Sequence, residues 1–278
     1  MRVTLKVENE ELTRDMNSQS SIFCSSSSIY LVEHFFSIQG EGRYIGTPSI
    51  FLRFGGCNLC CFGFGEYWYN GKRVLGCDTL RAVNKQLFKN RWKEIEDPKE
   101  LIEIIKSYLD GISFKPDIVL TGGEPMINAK NFIFYELVKW IVYNGFRITI
   151  ETNSTIAPSF DEFSAYKEVT FAMAVKLSNS KEPKKRRVIP EVIERLAKEG
   201  KDSFFKFTID AELIEKDAKF QIMQIIRDLT NDVYCMPLGD NVEDLQKNSL
   251  AVAEFCLKNG FKYSDRLHVR LWNRKERK

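Results

Sequence analysis

The chain has 278 residues, of which 44% are hydrophobic and 28% charged, so it can bury a sizeable core and is not disordered as a whole. Its 41 Lys and Arg residues against 38 Asp and Glu give a formal charge of +3, which excludes a nucleic-acid footprint over the whole surface. The sequence shows no apolar run of about 18 residues and no apolar N-terminal leader, so we expect a cytoplasmic protein without a membrane partner.

Residues 1–28 are serine-rich and aperiodic, and they are predicted to form an extension to a single domain at 29–278. That domain begins with predicted strands at 29–38 and 49–54, joined by a glycine-rich turn and followed at once by a group of cysteines. Strands are then predicted at 117–123, 146–152, 170–178, 203–210, 232–239 and 266–272. Helices are predicted at 97–111, 128–145, 190–200, 214–229 and 242–260, with left-handed C-caps at Gly111, Gly145, Gly200 and Gly260.

Strands that alternate with helices of this length form βα units, which build a parallel sheet covered by helices. About six such units are too few to close an eight-stranded barrel. The sequence therefore predicts an α/β fold, an open and partial βα barrel of about six parallel strands with outer helices. Ligands bind such folds at the carboxyl ends of the strands, so the segments GGCNLCC, GGEP, ETNS, KLSNS and MPLGD are expected to meet at one mouth.

Seven cysteines are an odd number for a disulfide framework, and four of them, Cys57, Cys60, Cys61 and Cys77, lie close together in the sequence. In a reducing compartment such a group indicates a metal site. Three thiolates would hold three irons of a [4Fe-4S] cluster and leave the fourth iron open for a ligand. The alternative is a structural zinc site made from all four cysteines, although the adjacent pair Cys60 and Cys61 suits a tetrahedral site poorly.

The segment Thr121-Gly122-Gly123-Glu124-Pro125 closes the predicted strand at 117–123. Its two glycines would let a ligand approach the backbone closely, and Glu124 adds a carboxylate beside the exposed carbonyls. Such a ledge suits an ammonium group. An ordinary turn from strand to helix is the alternative.

Together the cysteines and the Gly-Gly-Glu-Pro segment resemble the radical S-adenosylmethionine superfamily. The resemblance sharpens to the 7-carboxy-7-deazaguanine synthase family in the segments FSIQGEG (36–42), RFGGCNL (53–59), CDT (77–79) and ETN (151–153), and it covers about residues 29–273. One departure is that Phe64 stands where the third cysteine of the usual Cys-x3-Cys-x2-Cys motif belongs. A longer insertion then precedes Cys77, whose Asp-Thr context matches that of the last cluster ligand.

The resemblance implies a role for each matching residue. It assigns Cys57, Cys61 and Cys77 to a [4Fe-4S] cluster and leaves Cys60 out. Contacts to S-adenosylmethionine are implied for Gly122, Gly123, Glu124, Glu151, Asn153 and Ser178. Contacts to the substrate are implied for Gln39, Glu41, Arg53, Thr121 and His268. Thr79 is implied as a ligand to Mg²⁺, with capping of the helix that starts near Leu80 as the alternative.

The resemblance also implies a reaction. Reduction of bound S-adenosylmethionine would give a 5′-deoxyadenosyl radical, and 6-carboxy-5,6,7,8-tetrahydropterin would become 7-carboxy-7-deazaguanine with loss of ammonia, in 7-deazapurine biosynthesis of the queuosine type. The implied partners are an electron donor such as flavodoxin or ferredoxin and a second copy of the chain. The rival is another small radical S-adenosylmethionine enzyme, such as a glycyl-radical activase. Lys206 and the basic segment 181–187 are interpreted as structural or solvated, and no nucleic-acid partner is predicted.

Overall fold

The alternation of strands and helices builds one large sheet in the computed structural model, which describes residues 28–69, 71–273 and 275. The predicted N-terminal extension, apart from Ser28, lies outside the described residues. The strands in chain order are β1 (Ile29–Ile38), β2 (Pro48–Phe54), β3 (Glu66–Tyr69), β4 (Lys72–Leu75), β5 (Lys93–Ile95), β6 (Asp117–Gly122), β7 (Ile148–Thr152), β8 (Thr170–Met173), β9 (Phe204–Ile209), β10 (Val233–Pro237) and β11 (Lys262–Tyr263).

Helices connect these strands. In chain order they are α1 (Leu80–Val83), α2 (Lys85–Phe88), α3 (Pro98–Leu109), α4 (Phe132–Tyr143), α5 (Lys184–Arg187), α6 (Pro190–Glu199), α7 (Ala211–Lys216), α8 (Ala218–Ile226), α9 (Val242–Asn259) and α10 (Leu267–Trp272). Side-chain caps explain why several begin where they do. The carboxylate of Asp97 and the amide oxygens of Asn131 and Asn241 accept backbone N–H bonds from the first turns of α3, α4 and α9.

Within the described residues, nine strands form one sheet in the order β11-β10-β9-β8-β7-β6-β2-β1-β5. The strands from β2 and β6 through β10 pair in parallel, and β11 adds two more parallel residues at one edge. At the other edge β1 and β5 pair antiparallel. The prediction of an open α/β sheet with about six parallel strands is therefore confirmed.

The parallel strands are mostly apolar because their side chains are buried in the core. Every residue of β6 is buried, and β8 is buried throughout as well. Helices α4, α6 and α9 pack against β7, β8 and β10. Among the described residues, no helix has the length and apolar composition required to span a membrane.

Three predictions about local structure were wrong. Residues 267–272 form helix α10 instead of a strand, because Leu267 N donates a hydrogen bond to Gly40 O and the chain turns back over the sheet at that point. The predicted helix at 214–229 is two helices, α7 and α8, which meet at Asp217. Gly200 has a φ of −82°, so it does not supply a left-handed C-cap, whereas Gly111, Gly145 and Gly260 all have positive φ.

The sequence between Cys61 and Cys77 contains a hairpin that was not predicted. Strands β3 and β4 pair antiparallel, with Glu66 opposite Leu75 and Trp68 opposite Arg73. The hairpin forms a sheet of its own, apart from the nine-stranded sheet. The insertion is therefore an ordered extension of the cysteine segment, and its side chains Glu66, Tyr67 and Trp68 face the cavity described below.

Two glycines allow the backbone that follows β6 to lie against the backbone that follows β2. Glu124 N donates to Gly56 O at 2.8 Å, and Gly123 N donates to Phe54 O at 3.3 Å. A Cβ at Gly123 would stand 2.2 Å from Gly56 O and 2.9 Å from the Cβ of Cys57. The absence of a side chain at Gly123 thus sets how closely the cysteine segment approaches the end of β6.

We expect G123A to lower the free energy of unfolding by about 2 to 3 kcal/mol, as overpacking against rigid backbone does. Chemical denaturation measures this loss. The matched control is G111A, where φ is positive but the added Cβ has no atom within 4 Å, so we expect a loss of about 1 kcal/mol from backbone strain. A G123A protein as stable as G111A would show that the two backbones separate at little cost.

Candidate active site

A cavity of about 640 Å³ opens at the carboxyl ends of the parallel strands. All but two of the predicted site residues line it: Gln39, Glu41, Arg53, Cys57, Cys61, Cys77, Thr79, Thr121, Gly122, Gly123, Glu151, Asn153 and His268. The exceptions are Glu124 and Ser178. The strand-end segments expected to meet at one mouth do meet there, although KLSNS contributes through Lys176 alone.

One wall of the cavity carries the cysteines. The thiols are close enough that Cys61 and Cys77 raise the pKa of Cys57, and Cys77 raises that of Cys61. Burial raises the pKa of Cys57 to about 12 and that of Cys61 to about 11, and burial raises the pKa of Cys77 as well. These thiols are therefore protonated at neutral pH, and a metal that binds them must displace the protons. Cys60 is exposed.

A buried carboxylate fixes the segment between Cys57 and Cys61. Glu182 Oε1 accepts the backbone N–H groups of Cys60 and Cys61, the latter at 3.1 Å. Cys61 has a φ of 47°, a left-handed conformation that non-glycine residues seldom adopt. The strained backbone at Cys61 is thus supported by a carboxylate that Glu182 contributes from a distant part of the chain.

The donor set also bears on the zinc alternative. Among the residues that the structure describes, no three Cys, His, Asp or Glu side chains are arranged to hold a single metal ion. A zinc site needs four ligands within bonding distance of one ion, so the four cysteines do not form one. The thiols of Cys57, Cys61 and Cys77 lie on one cavity wall, with Cys61 buried and the other two partly buried.

Thr79 does not cap α1, because its side chain makes no capping hydrogen bond. Its hydroxyl lies 3.0 Å from the Sγ of Cys77. Asp78, between these two residues, accepts a hydrogen bond from Arg266 Nη2. The capping alternative for Thr79 is therefore excluded, and the hydroxyl is placed beside the last cysteine on the cavity wall.

The two residues that do not line the cavity have other partners. Glu124 is buried, and its carboxylate accepts from Met126 N at 3.0 Å, Thr152 Oγ1 at 2.8 Å and Asn153 N at 2.6 Å. Ser178 is exposed, and its hydroxyl accepts from Gln221 Nε2 at 2.6 Å. Glu124 thus joins the end of β6 to the end of β7 and holds Asn153 in place.

A network of buried charges forms the floor of the cavity. Lys206 Nζ lies 2.9 Å from Glu41 Oε2 and 2.9 Å from Glu151 Oε1. The other oxygen of Glu41 pairs with Arg266 Nε at 2.8 Å. Burial alone would raise the pKa of Glu41, but Lys206 and Arg266 outweigh it and hold that pKa well below its usual range. The floor therefore presents an ionised carboxylate whose oxygens are fixed in position.

Glu151 and His268 complete this floor. Burial favours a raised pKa for Glu151, but Lys206 lowers it, and the second oxygen of Glu151 accepts from Thr121 Oγ1 at 2.8 Å. Burial lowers the pKa of His268 from its ordinary value, so the ring is neutral at pH 7. The ring packs directly on Gly40, where an added Cβ would stand 2.0 Å from Nδ1.

Arg53 reaches the cavity from the end of β2. Its Nε donates to Glu33 Oε1 at 2.7 Å, and the same oxygen accepts from Arg81 Nη2 at 3.0 Å. Glu33 is buried on β1, opposite Arg53 in the antiparallel register. One buried carboxylate thus orients two guanidinium groups, and both of them line the cavity.

Several lining residues were missed or underrated by the sequence analysis. Arg266 was assigned to a strand without a role, and Lys206 was interpreted as structural. A signal for Lys206 and Glu33 was present, because each is a lone charged residue inside an apolar strand. Arg266 had no such signal, since it lies in a polar connection whose path depends on the fold.

Replacing Lys206 by methionine leaves two buried carboxylates without the cation between them. We expect K206M to lower the free energy of unfolding by about 3 to 5 kcal/mol at pH 7, the usual cost of breaking a buried ion pair. In the wild-type protein the lowered pKa of Glu151 adds stability above the unfolded pKa of glutamate. In the variant, burial raises that pKa instead, so the folded protein takes up protons as the pH falls. Chemical denaturation should show a smaller loss near pH 5 than at pH 7.

The control is K201M, which breaks the exposed pair between Lys201 and Glu168. Solvent screens this pair, so we expect almost no change in stability at either pH. A K206M protein with the same loss at both pH values would contradict the assignment of paired, ionised carboxylates on the cavity floor.

A scan against models of protein families finds no match. Among solved structures, the crystal structure of QueE from Escherichia coli superposes with a TM-score of 0.61 at 21% identity, covering 91% of this chain and all of that one. At this identity the likeness shows the shared fold.

Curated sequences give closer likenesses. The chain is 27% identical over 256 residues to the 7-carboxy-7-deazaguanine synthase of Halobacterium salinarum, which covers 87% of this chain and 89% of that protein. It is 30% identical over 253 residues to the 7-carboxy-7-deazaguanine synthase of Rhodopirellula baltica, which covers 88% of this chain and 87% of that protein. The chain therefore belongs to the family of 7-carboxy-7-deazaguanine synthases.

Proposed function

We propose that this protein is a radical S-adenosylmethionine lyase that converts 6-carboxy-5,6,7,8-tetrahydropterin to 7-carboxy-7-deazaguanine and ammonia. The observation that carries the proposal is one cavity that has Cys57, Cys61 and Cys77 on one wall and the charged side chains of Glu41, Glu151 and Arg53 on the others. A cofactor at the cysteines and a substrate on the charged floor would then share one enclosed space. Membership of the family supports the same activity.

The cysteines would hold the cluster. All four cysteines of the group line the cavity, and we propose Cys57, Cys61 and Cys77 as the ligands because they are partly or fully buried there, whereas Cys60 is exposed. When bound, a [4Fe-4S] cluster supplies the electron that cleaves S-adenosylmethionine. The iron would displace the protons of the three thiols, and the protein's part is to hold these thiols on one wall while the other side of the site stays open to the cavity.

S-adenosylmethionine would lie between the cysteine wall and the ends of β6 and β7. Gly122 and Gly123 offer backbone without side chains there, and Asn153 and Glu151 offer polar groups suited to an amine or a ribose. We propose that Glu124 positions Asn153, because its carboxylate accepts a hydrogen bond from the backbone N–H of that residue. Ser178, exposed and bonded to Gln221, is the weakest of the predicted cofactor contacts.

The substrate would lie on the charged floor. The Glu41 carboxyl group is ionised, and Lys206 and Arg266 each hold one of its oxygens in position. Each oxygen retains a lone pair that can accept a hydrogen bond from the donor edge of a 2-amino-pyrimidinone ring. Arg53, fixed by Glu33, suits the substrate carboxylate, which a guanidinium binds by two parallel hydrogen bonds. We propose that Gln39, Thr121 and the neutral His268 complete the contacts to the pterin.

Three further features belong to this proposal. We propose that Thr79 contributes its hydroxyl to a Mg²⁺ ion whose other ligands come from substrate and water, as the hard-cation preference for oxygen allows. We propose that a flavodoxin or ferredoxin supplies the electron and that the enzyme works as a homodimer in the cytoplasm. The alternative of a zinc-binding module has no metal site among the described residues. The alternative of a glycyl-radical activase does not account for Glu41 and Arg53 in the cavity.

Anaerobic incubation of the iron- and sulfide-reconstituted protein with S-adenosylmethionine, dithionite, Mg²⁺ and 6-carboxytetrahydropterin should yield 7-carboxy-7-deazaguanine by mass spectrometry. Cleavage of S-adenosylmethionine to 5′-deoxyadenosine without this product would retain the superfamily and overturn the substrate. A cluster-replete protein that does not cleave S-adenosylmethionine would overturn both.

Substitution of single cysteines tests the ligand set. We expect C57A, C61A and C77A each to abolish turnover. Each variant should also lose its bound iron and the absorption at about 400 nm that thiolate-bound clusters show. C60A is the matched control, because Cys60 is exposed and adjacent to a proposed ligand. An inactive, iron-poor C60A together with a normal C61A would exchange the two assignments.

Removal of the Thr79 hydroxyl tests the proposed magnesium ligand. We expect T79A to need at least about tenfold more Mg²⁺ for half-maximal turnover, which corresponds to about 1.4 kcal/mol of lost affinity. T79S keeps the hydroxyl and should restore the wild-type requirement. If T79A and the wild-type protein need the same Mg²⁺ concentration, Thr79 is not a magnesium ligand, and its hydroxyl only hydrogen-bonds to the thiol of Cys77.

A further inference from the structure

The basic segment, residues 181–187 with the sequence KEPKKRR, packs against the cysteine loop, residues 57–63. Glu182 accepts the N–H groups of Cys60 and Cys61, and Arg186 Nη2 donates to Asn58 O at 2.7 Å. Next to this, Gly63 N donates to Ser180 O at 3.1 Å. The basic segment is therefore attached to the loop that carries two of the proposed cluster ligands. Its sequence alone had indicated a solvated connection.

Two buried residues hold the basic segment in shape. Glu182 and Arg187 are 6% and 5% exposed, and the Arg187 guanidinium donates to the carbonyl oxygens of Glu182 and Lys176. The remaining charged residues are exposed, although Arg186 also pairs with Glu182 at 3.4 Å, and they are Lys181, Lys184, Lys185 and Arg186. Four exposed cations on one short ordered segment contrast with the net charge of +3 of the whole chain. They form a local positive field at the back of the cysteine loop.

The cysteine loop adds an apolar centre to this surface. Phe62 is 51% exposed and does not line the cavity, whereas the exposed Cys60 does line it. An exposed aromatic ring at the edge of a charged rim is the usual composition of a protein-binding surface. Because Cys60 lies between Cys57 and Cys61 in sequence, a protein bound here would be separated from the proposed cluster by little more than the loop backbone.

We infer that the basic segment and the exposed side of the cysteine loop form the docking surface for an acidic one-electron carrier protein. This inference rests on the proposed function, which requires an electron at the three cysteines. The transfer makes and breaks no bond. One electron leaves the reduced carrier, which is thereby oxidised, and the bound cluster is reduced by the same electron.

The charge and size of the surface favour such a carrier over a nucleic acid. Redox partners form small, weak complexes that depend on complementary charge for rapid association. Four exposed cations and one exposed ring, on two segments that contact each other, fit that description. Single-stranded nucleic acid needs aromatic side chains interleaved with the cations on which bases stack, and residues 181–187 contain no aromatic residue.

The test uses the double variant K184E/K185E, which reverses two exposed charges without touching the hydrogen bonds to the cysteine loop. The probe is an acidic flavodoxin, titrated calorimetrically against the reconstituted enzyme under anaerobic conditions. We expect the dissociation constant of the variant to rise at least about tenfold, or about 1.4 kcal/mol. Added salt should weaken binding to the wild-type protein more than binding to the variant, because salt screens exposed charges.

The matched control is K198E/K258E, which makes the same change in net charge. Lys198 and Lys258 lie in the last turns of α6 and α9, at the end of the sheet away from the cavity. We expect this control to bind flavodoxin as the wild-type protein does. Turnover driven by dithionite, a small reductant that needs no docking surface, should be unchanged in both variants, while the KM for flavodoxin should rise in K184E/K185E alone.

These measurements separate the inference from the function on which it rests. If dithionite yields no product from the wild-type protein, the proposed function fails, and the binding comparison still decides whether the surface recognises the carrier. The docking inference is overturned if the wild-type protein does not bind flavodoxin or if K184E/K185E binds it as the control does. It is also overturned if K184E/K185E loses affinity for a tRNA probe and keeps its affinity for flavodoxin.

Discussion

The ion network on the cavity floor is the constraint on which the site depends. Lys206 lies in the middle of a parallel strand, where an unpaired ammonium group would be strongly unfavourable. Its two carboxylate partners come from the turn after β1 and from the end of β7, so one buried cation fixes the relative positions of three segments. Such a network contributes little net stability compared with an apolar core, but it specifies one arrangement of the strand ends.

The same network extends to the cysteine wall through Arg266. This side chain pairs with Glu41 by one nitrogen and with Asp78 by another, and Asp78 stands between Cys77 and Thr79. Arg266 thus fixes the position of Cys77 relative to the cavity floor, independently of the length of the insertion before Cys77. This explains how the hairpin of β3 and β4 is accommodated without loss of the cavity, since long insertions cost little once their ends are fixed.

The sequence predicted the parts of the molecule that depend on local pattern. The βα alternation identified the parallel sheet, and the polar strand ends identified the cavity, because parallel strands bring their carboxyl ends together. The sequence did not predict α10, whose residues alternate like a strand, because the buried pairing of Arg266 and the bond from Leu267 to Gly40 decide the path of the chain there. Glu124 was placed among the ligands for its carboxylate, and only the fold shows that this carboxylate is occupied by Asn153, Thr152 and Met126.

Charge balance links the cysteine wall to the rest of the site. Burial raises the pKa values of the three thiols, so they are neutral without a metal, and the proposed cluster would bind them as thiolates. Their deprotonation would add negative charge to a wall that already contacts the carboxylates of Glu124 and Glu182. Lys176, which lines the cavity and favours the charged forms of Cys61 and Cys77, offsets part of it from inside. The exposed cations of residues 181–187 would offset it from outside, on the same surface that we propose for an acidic partner.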